Sequence, residues 1–160
     1  MLIRPFAASD EQPILDLTLS VFEPFYEESF RLLMGEAIFS VQHGSWRENY
    51  TSMIPALHRP AERQYVDVAD ADGSLAGYVG WRVEPLREYG TISILAVSPG
   101  FRGAHVGREL CEHAMRGMKA LGARIVEIGA GGDPFHAPAR ALYESLGCTQ
   151  IPVAVYFREL

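Results

Sequence analysis

Apolar positions recur at two periods along this chain, and the switches between them divide it into strands and helices. Ile92-Ser93-Ile94-Leu95-Ala96-Val97 is a short run rich in β-branched residues, and Ser98-Pro99-Gly100 stops it. Beyond it Val106, Leu110, Ala114, Met118 and Leu121 take up the spacing of one helix face, which predicts a helix over about 105–121. Upstream, Met1–Pro5 reads as a first strand. Ser9 or Asp10 then caps a helix whose first turn tolerates Pro13, with Ile14, Leu15, Thr18, Val21, Phe22 and Phe25 turned inward. Pro24 and Gly35 punctuate the next stretch, so a second helix is expected from near Phe30, continuing irregularly towards Leu57.

Tyr65–Ala69 and Leu75–Glu84 read as a hairpin around Asp70-Ala71-Asp72-Gly73. Strands at Thr91–Val97 and Arg124–Gly129 flank the 105–121 helix. Pro138 suits the first position of a last helix, Gly147 suits its stop, and Ala139, Leu142 and Leu146 make its buried stripe. Val153–Arg158 is expected to close the sheet. The order βααβββαβαβ describes a mixed α/β (α+β) sandwich in a single domain over residues 1–160, without repeats or an interdomain linker.

Composition narrows the class. With 160 residues and 48% hydrophobic content, the chain can bury one substantial core. No apolar run reaches the roughly 18 residues of a membrane span, and Met-Leu-Ile-Arg-Pro is not followed by the apolar region of a signal peptide. A cytoplasmic protein with no membrane partner is expected. Two cysteines, Cys111 and Cys148, suit a reducing compartment and packing roles. The five histidines, His43, His58, His105, His113 and His136, lack ligand spacing, so no metal is expected.

A net charge of −6 argues against nucleic acid as a partner. The acidity is concentrated early: Asp10, Glu11, Asp16, Glu23, Glu27, Glu28 and Glu36 face only Arg4 and Arg31 over the first 36 residues. This is either a solvated helix face or an acidic rim that draws in a cationic amine.

The candidate chemistry lies between the strand ending at Val97 and the helix near Val106. Arg102-Gly103-Ala104-His105-Val106-Gly107 brings small residues and backbone N–H groups to a helix N-terminus, where roughly half a positive charge favours an anion. The spacing is neither that of a Walker loop nor that of a dinucleotide fingerprint.

Arg102 and Gly107, with Val97-Ser98-Pro99 before them, resemble the pyrophosphate loop of the GNAT superfamily of acyl-CoA N-acyltransferases, with His105 where that family usually has glycine. Further on, the segment from His136 to Cys148 resembles the family's Asn-x-x-Ala-x-x-Leu-Tyr-x-x-x-Gly-Phe element. Ala139, Leu142, Tyr143 and Gly147 fall in place, His136 replaces the asparagine and Cys148 the phenylalanine. The likeness is strong over residues 64–148 and general in the N-terminal third.

This resemblance implies a GNAT-like mixed, mostly antiparallel sheet flanked by helices, with splayed central strands and acetyl-CoA as cosubstrate. The implied reaction is direct attack by a primary amine of a small molecule or peptide on the thioester, in a ternary complex. Backbone groups of Leu95, Ala96 and Val97 would hold the pantetheine arm. Gly103, Ala104, His105, Val106, Gly107 and Arg108 would face the pyrophosphate, Arg102 would add charge, and His136 and Ala139 would complete the cofactor site. Tyr143 would protonate the departing thiolate. Some relatives place a glutamate base where this chain has Thr91, which cannot serve. Glu127, between Val126 and Ile128, is then the first candidate base, with Glu88, His136 or an ordered water as alternatives.

Two other readings stay open: a non-catalytic acyl-CoA-binding or sensor module, suggested by His105 and His136, and an α/β protein for another phosphate ligand. In GNAT-like proteins the first two helices help form the acceptor site. Either a monomer or a homodimer paired through C-terminal edge strands is expected.

Overall fold

The computed structural model describes residues 1–160. Its frame is one five-stranded sheet in sequential order: β1 (Leu2–Pro5), β2 (Gln64–Ala71), β3 (Ser74–Glu84), β4 (Tyr89–Val97) and β5 (Ile125–Ile128). The first four strands pair antiparallel, and β5 joins β4 in parallel. The sheet is therefore mixed and mostly antiparallel, with helices on both faces. Asp72 and Gly73 close the β2–β3 hairpin, both at positive φ (53° and 86°), as a primed two-residue turn requires. Asp70 holds that turn by accepting the Gly73 N–H at 2.7 Å.

Two departures from regular pairing shape the centre of the sheet. Gly80 pairs with Ile94 but Trp81 pairs with Ile92, so Ser93 has no partner and forms a bulge in β4. On the other side, β4–β5 pairing ends at Ile92 and Ile128. From Ser93 to Val97, β4 continues with β3 alone beside it. β4 thus runs past the end of β5 with one of its edges unpaired.

One face of the sheet is covered by α5 (Val106–Ala120), which buries Val106, Leu110, Cys111, Ala114 and Met118 against Val79, Trp81, Val83 and Ile92. Val106, Leu110, Ala114 and Met118 belong to the predicted stripe; Cys111 joins them, and Leu121, expected as its last member, lies just past the helix end and is only half-buried. Gly117 permits the close approach, since a Cβ there would lie 2.8 Å from the Trp81 ring. The other face is covered by α1 (Glu11–Pro24), with Ile14 and Val21 in a second cluster around Val66, Val68, Tyr78 and Ile94. Thr18 sits at its centre, its hydroxyl 2.6 Å from both the Tyr78 hydroxyl and the Ile14 carbonyl.

Pro24 does not end the first helix as its sequence position suggests. The next turn, Phe25–Phe30, widens to π geometry, and the rod returns to α form as α2 (Arg31–Met34). Proline removes one backbone donor and crowds the preceding turn, and a local widening accommodates both without breaking the axis. Gly35, at φ 79°, makes the actual break. Then come α3 (Glu36–His43) and α4 (Trp46–Met53). No helix is long and apolar enough to cross a membrane.

The expected closing strand at Val153–Arg158 does not join its own sheet. The last helix, α6 (Ala137–Ser145), ends through Gly147 at φ 82°, and residues 149–160 form no regular element. Alternation of apolar residues predicts a strand only where an edge receives it. Here β5 remains the edge of the sheet.

Candidate active site

A cavity of about 910 Å3 lies beside β4 beyond the end of β5. Its floor is the unaccompanied stretch of β4, Ser93 to Val97; one wall is the turn and first residues of α5, and another is α6 with the loop before it. Leu95, Ala96, Val97, Arg102, Gly103, His105, Val106, Gly107, Arg108, His136, Ala139 and Tyr143 all line it. The two motifs, far apart in sequence, thus face one space.

Local backbone geometry explains the α5 end of the cavity. Its first helical hydrogen bond runs from the Glu109 N–H to the His105 carbonyl at 3.0 Å. The N–H groups of Val106, Gly107 and Arg108 precede that bond and have no partner in the protein, nor do those of Gly103 and His105. Ala104 differs from expectation. Its N–H donates to the Phe101 carbonyl at 3.3 Å, and the residue does not line the cavity. The turn's own closure uses that donor. Gly103 (φ 81°) and His105 (φ 61°) adopt left-handed backbone. The His105 conformation is one that glycine adopts without strain, while L-residues incur about 1–2 kcal/mol. Gly107 meets a different demand: a Cβ there would lie 3.2 Å from Leu142 and 3.5 Å from Val97.

On α6, Tyr143 is half-buried, and its hydroxyl makes no hydrogen bond within the protein. Burial pushes the phenol well above its ordinary range, so the group holds its proton at neutral pH. His136 lies in the short turn before α6, with Nδ1 2.7 Å from an Asp133 carboxylate oxygen and its ring edge-on to Phe25 at 4.6 Å. Burial opposes ionisation of Asp133, yet the bond and charge of His136, with backbone N–H donors, together hold its carboxyl below the usual range. Arg140 ties the same turn down through the Asp133 carbonyl at 2.8 Å.

Glu127 is not brought to this cavity. It lies exposed on β5 and accepts a hydrogen bond from the Tyr89 hydroxyl. Its strand is an edge, so a mid-strand carboxylate is solvated there rather than buried. Glu88 lies farther along the same side and pairs with Arg124 at 3.1 Å.

The early acidic residues serve as internal clasps. Arg4 holds Asp10 at 2.7 Å, Arg47 holds Glu23 at 2.5 Å, and Arg31 holds Glu36 at 3.0 Å. Glu27 accepts from Trp46 Nε1 at 2.9 Å and Arg47 at 3.1 Å, and also pairs with Arg31. The Trp46 bond, helped by the two arginines and opposed by burial, keeps its carboxyl low. Glu11, Asp16 and Glu28 have no arginine partner, so these clasps neutralise only part of the acidic run. Arg47, distant in sequence from the acidic run, could be assigned to it only from the tertiary structure.

Sequence reading missed Ser93, Phe22, Tyr50, Met53, Phe101 and Phe135 in the cavity lining. Ser93 had no visible signal, because a bulge depends on the partner strand's register. A smaller cavity of about 210 Å3, lined in part by Leu57, Arg59, Gln64 and Arg82, shares Met53 and Ser93 with the larger one. Met53 and Ser93 thus border both spaces.

This arrangement, a mostly antiparallel sheet with one strand edge left free and unpartnered amide donors at a helix start, is that of the GNAT acetyltransferase fold. The acetyltransferase (GNAT) family matches over residues 22–148, and the chain belongs to that family. It is 40% identical to the mycothiol acetyltransferase of Beutenbergia cavernae over 87 residues, which are 54% of this chain and 28% of that protein. The chain spans less than half the length of the curated relatives it matches. Among solved structures, a mutant of the BH1408 protein from Bacillus halodurans superposes over the whole of both chains, with a TM-score of 0.75 at 24% identity. The aminoglycoside N-acetyltransferase AAC(6')-Iy in complex with CoA superposes with a TM-score of 0.69 at 14% identity, covering 99% of this chain and 93% of that one. At these identities the superpositions establish the fold.

Proposed function

We propose that this chain is an acetyl-CoA-dependent N-acetyltransferase acting on a primary amine of a small molecule or peptide, by direct attack in a ternary complex. One observation carries the reading: five residues with unpartnered backbone N–H groups, the unaccompanied stretch of β4 and Tyr143, whose hydroxyl is free, line the same cavity. Such donors suit a pyrophosphate, whose charge no single one would offset; each helix-terminus contact is worth about 0.3–1 kcal/mol. The cavity volume falls within the range of small-molecule sites.

Acetyl-CoA supplies an activated acyl group as its thioester. The protein's own contribution is positioning and charge. Edge amides and carbonyls of β4 from Leu95 to Val97 bind the pantetheine arm as a neighbouring strand would. A backbone N–H near Val97 meets the charge developing on the acyl oxygen. Tyr143, kept protonated by burial, donates to the leaving sulfur. The acceptor amine reaches the thioester through the smaller cavity, past Met53 and Ser93 at the bulge. His136, oriented by Asp133, is one of two cavity imidazoles, with His105, and the one placed to receive the amine proton. The names of structural neighbours point to amino-sugar acceptors as the first class to try, since an aminoglycoside N-acetyltransferase and a glucosamine-6-phosphate N-acetyltransferase are among them.

Calorimetric titration with acetyl-CoA, followed by an amine screen for CoA-thiol release, tests the reading. Micromolar binding with amine-dependent thiol release is the expected result. Binding without turnover on any amine would favour a sensor module, and no binding would overturn the assignment of the cavity.

A further inference from the structure

Arg82 stands where a charged side chain is least expected. It lies on β3, the middle strand of the sheet, and is the one exposed residue between Ala76 and Val83. Ser93 is likewise the one exposed residue of β4, and both border the smaller cavity of about 210 Å3. The helices thus leave part of the two central strands uncovered, and Arg82 borders the opening.

Its neighbours make that opening electropositive. Gln64 pairs with Arg82 in the β2–β3 ladder, and its side-chain carbonyl accepts from Arg59 Nε at 3.3 Å and Nη2 at 3.0 Å. Arg59, Gln64 and Arg82 all line the cavity. The Arg82 guanidinium makes no hydrogen bond within the protein. Its one ion pair, to Glu84 at 3.7 Å, is shared with Arg87, which holds the same carboxylate at 3.0 Å. Arg59 pairs with Glu62 at 3.2 Å. Both glutamates lie outside the lining, and exposed pairs of this kind hold an arginine weakly. No aspartate or glutamate lines either cavity, although the chain as a whole carries a net charge of −6. Two guanidiniums, with the Gln64 amide and the Ser93 hydroxyl beside them, match the oxygens of a carboxylate or a phosphate.

An amine that attacks a thioester beside β4 must place the rest of its structure nearby, and Met53 and Ser93 border both spaces. Resting on the acetyltransferase reading above, we infer that the acceptor is a primary amine bearing an anionic group, a carboxylate or a phosphate ester. Arg82, with Arg59, holds that anion in the smaller cavity while the amine points past Ser93 to the thioester. Arg82 is then a specificity-determining residue. The same charges draw in anionic acceptors and disfavour polycationic ones.

Amine-dependent thiol release on matched pairs tests this: glucosamine 6-phosphate against glucosamine for the phosphate ester, and amino acids against their amides for the carboxylate. The anionic member of one pair type should have the higher kcat/KM by about 10–100-fold, as expected of a charge-assisted hydrogen bond. The pair type that shows the preference identifies the anion. Arg82→Gln should erase it by raising KM with little change in kcat, and Arg82→Lys should keep part of it. Thermal melts and acetyl-CoA titration check the fold and the cofactor site of each variant. Equal or faster release with the neutral members would overturn the inference and leave the acetyltransferase reading standing. So would a preference that survives both Arg82→Gln and Arg59→Gln. No release with any amine would overturn both.

Discussion

Replacing Gly107 with glutamate tests the pyrophosphate loop most directly. Gly107 is in the first turn of α5, and a Cβ built on it points towards Leu142 at 3.2 Å, Val97 at 3.5 Å and Leu95 at 3.9 Å, all residues of the cavity lining. An added side chain therefore enters the space assigned to the cofactor. A carboxylate about 4 Å from a phosphate charge, at an effective dielectric of about 20, opposes binding by about 4 kcal/mol. That corresponds to roughly a thousandfold in Kd. Gly107→Gln carries the same bulk without the charge, so the Glu/Gln ratio isolates the electrostatic part. Gly107→Ala asks only the movable Leu142 methyl to shift by a few tenths of an ångström, while helix propensity improves by about 0.5–1 kcal/mol. Its stability should stay within about 1 kcal/mol of the parent. Calorimetric titration with acetyl-CoA, with thermal melts as the folding control, should rank affinity as Gly, then Ala, then Gln, then Glu. Equal affinities for the folded Glu and Gln variants would refute the placement of a phosphate at this helix start.

The same geometry predicts three further outcomes. Tyr143→Phe should lower amine-dependent thiol release by about 10²–10⁴-fold while leaving acetyl-CoA affinity nearly unchanged, because the lost group is a proton donor to the leaving sulfur; unchanged turnover would remove Tyr143 from the chemistry. His105→Gly relieves left-handed backbone and should raise stability by about 0.5–1 kcal/mol, seen as a higher Tm, with the amide donor retained for binding. Asp10 is held below the usual carboxylate range chiefly by its hydrogen bonds from Arg4, against the opposing effect of burial. A depressed folded value contributes stability above the ordinary pKa, near 3.9, which is lost as pH falls through the lower folded one. Denaturant titrations should therefore show Asp10→Asn less stable at pH 7 by about 1–3 kcal/mol, with a shallower decline on the acid side; parallel acid limbs would contradict the assignment.

Much of the fold was legible because it rests on local periodicity. The α5 stripe, the Asp72-Gly73 hairpin and the Val97-to-Val106 turn each depend on residues close in sequence, so spacing and turn chemistry specify them. The site was legible to the same depth, since the amides at Gly103 and Val106–Arg108 belong to one turn. Glu127 was misleading for a related reason. A carboxylate among β-branched residues looks buried, but burial depends on whether its strand has neighbours on both sides, and β5 has one. The acidic run was ambiguous because Arg47 and Trp46, which clasp Glu27, come from a separate helix.

By itself, the sequence determined most of the helices and strands, the turn that holds the free amide donors and the tyrosine that shares their cavity, because these depend on short-range geometry and side-chain chemistry. Only the tertiary structure decided that β4 bulges at Ser93, that β4 runs on beyond the end of β5 with one edge free beside the cavity, and that residues 149–160 do not join the sheet. Those features depend on register and on which edges meet. A strand's alternation specifies a face to bury, and it leaves open what the strand pairs with.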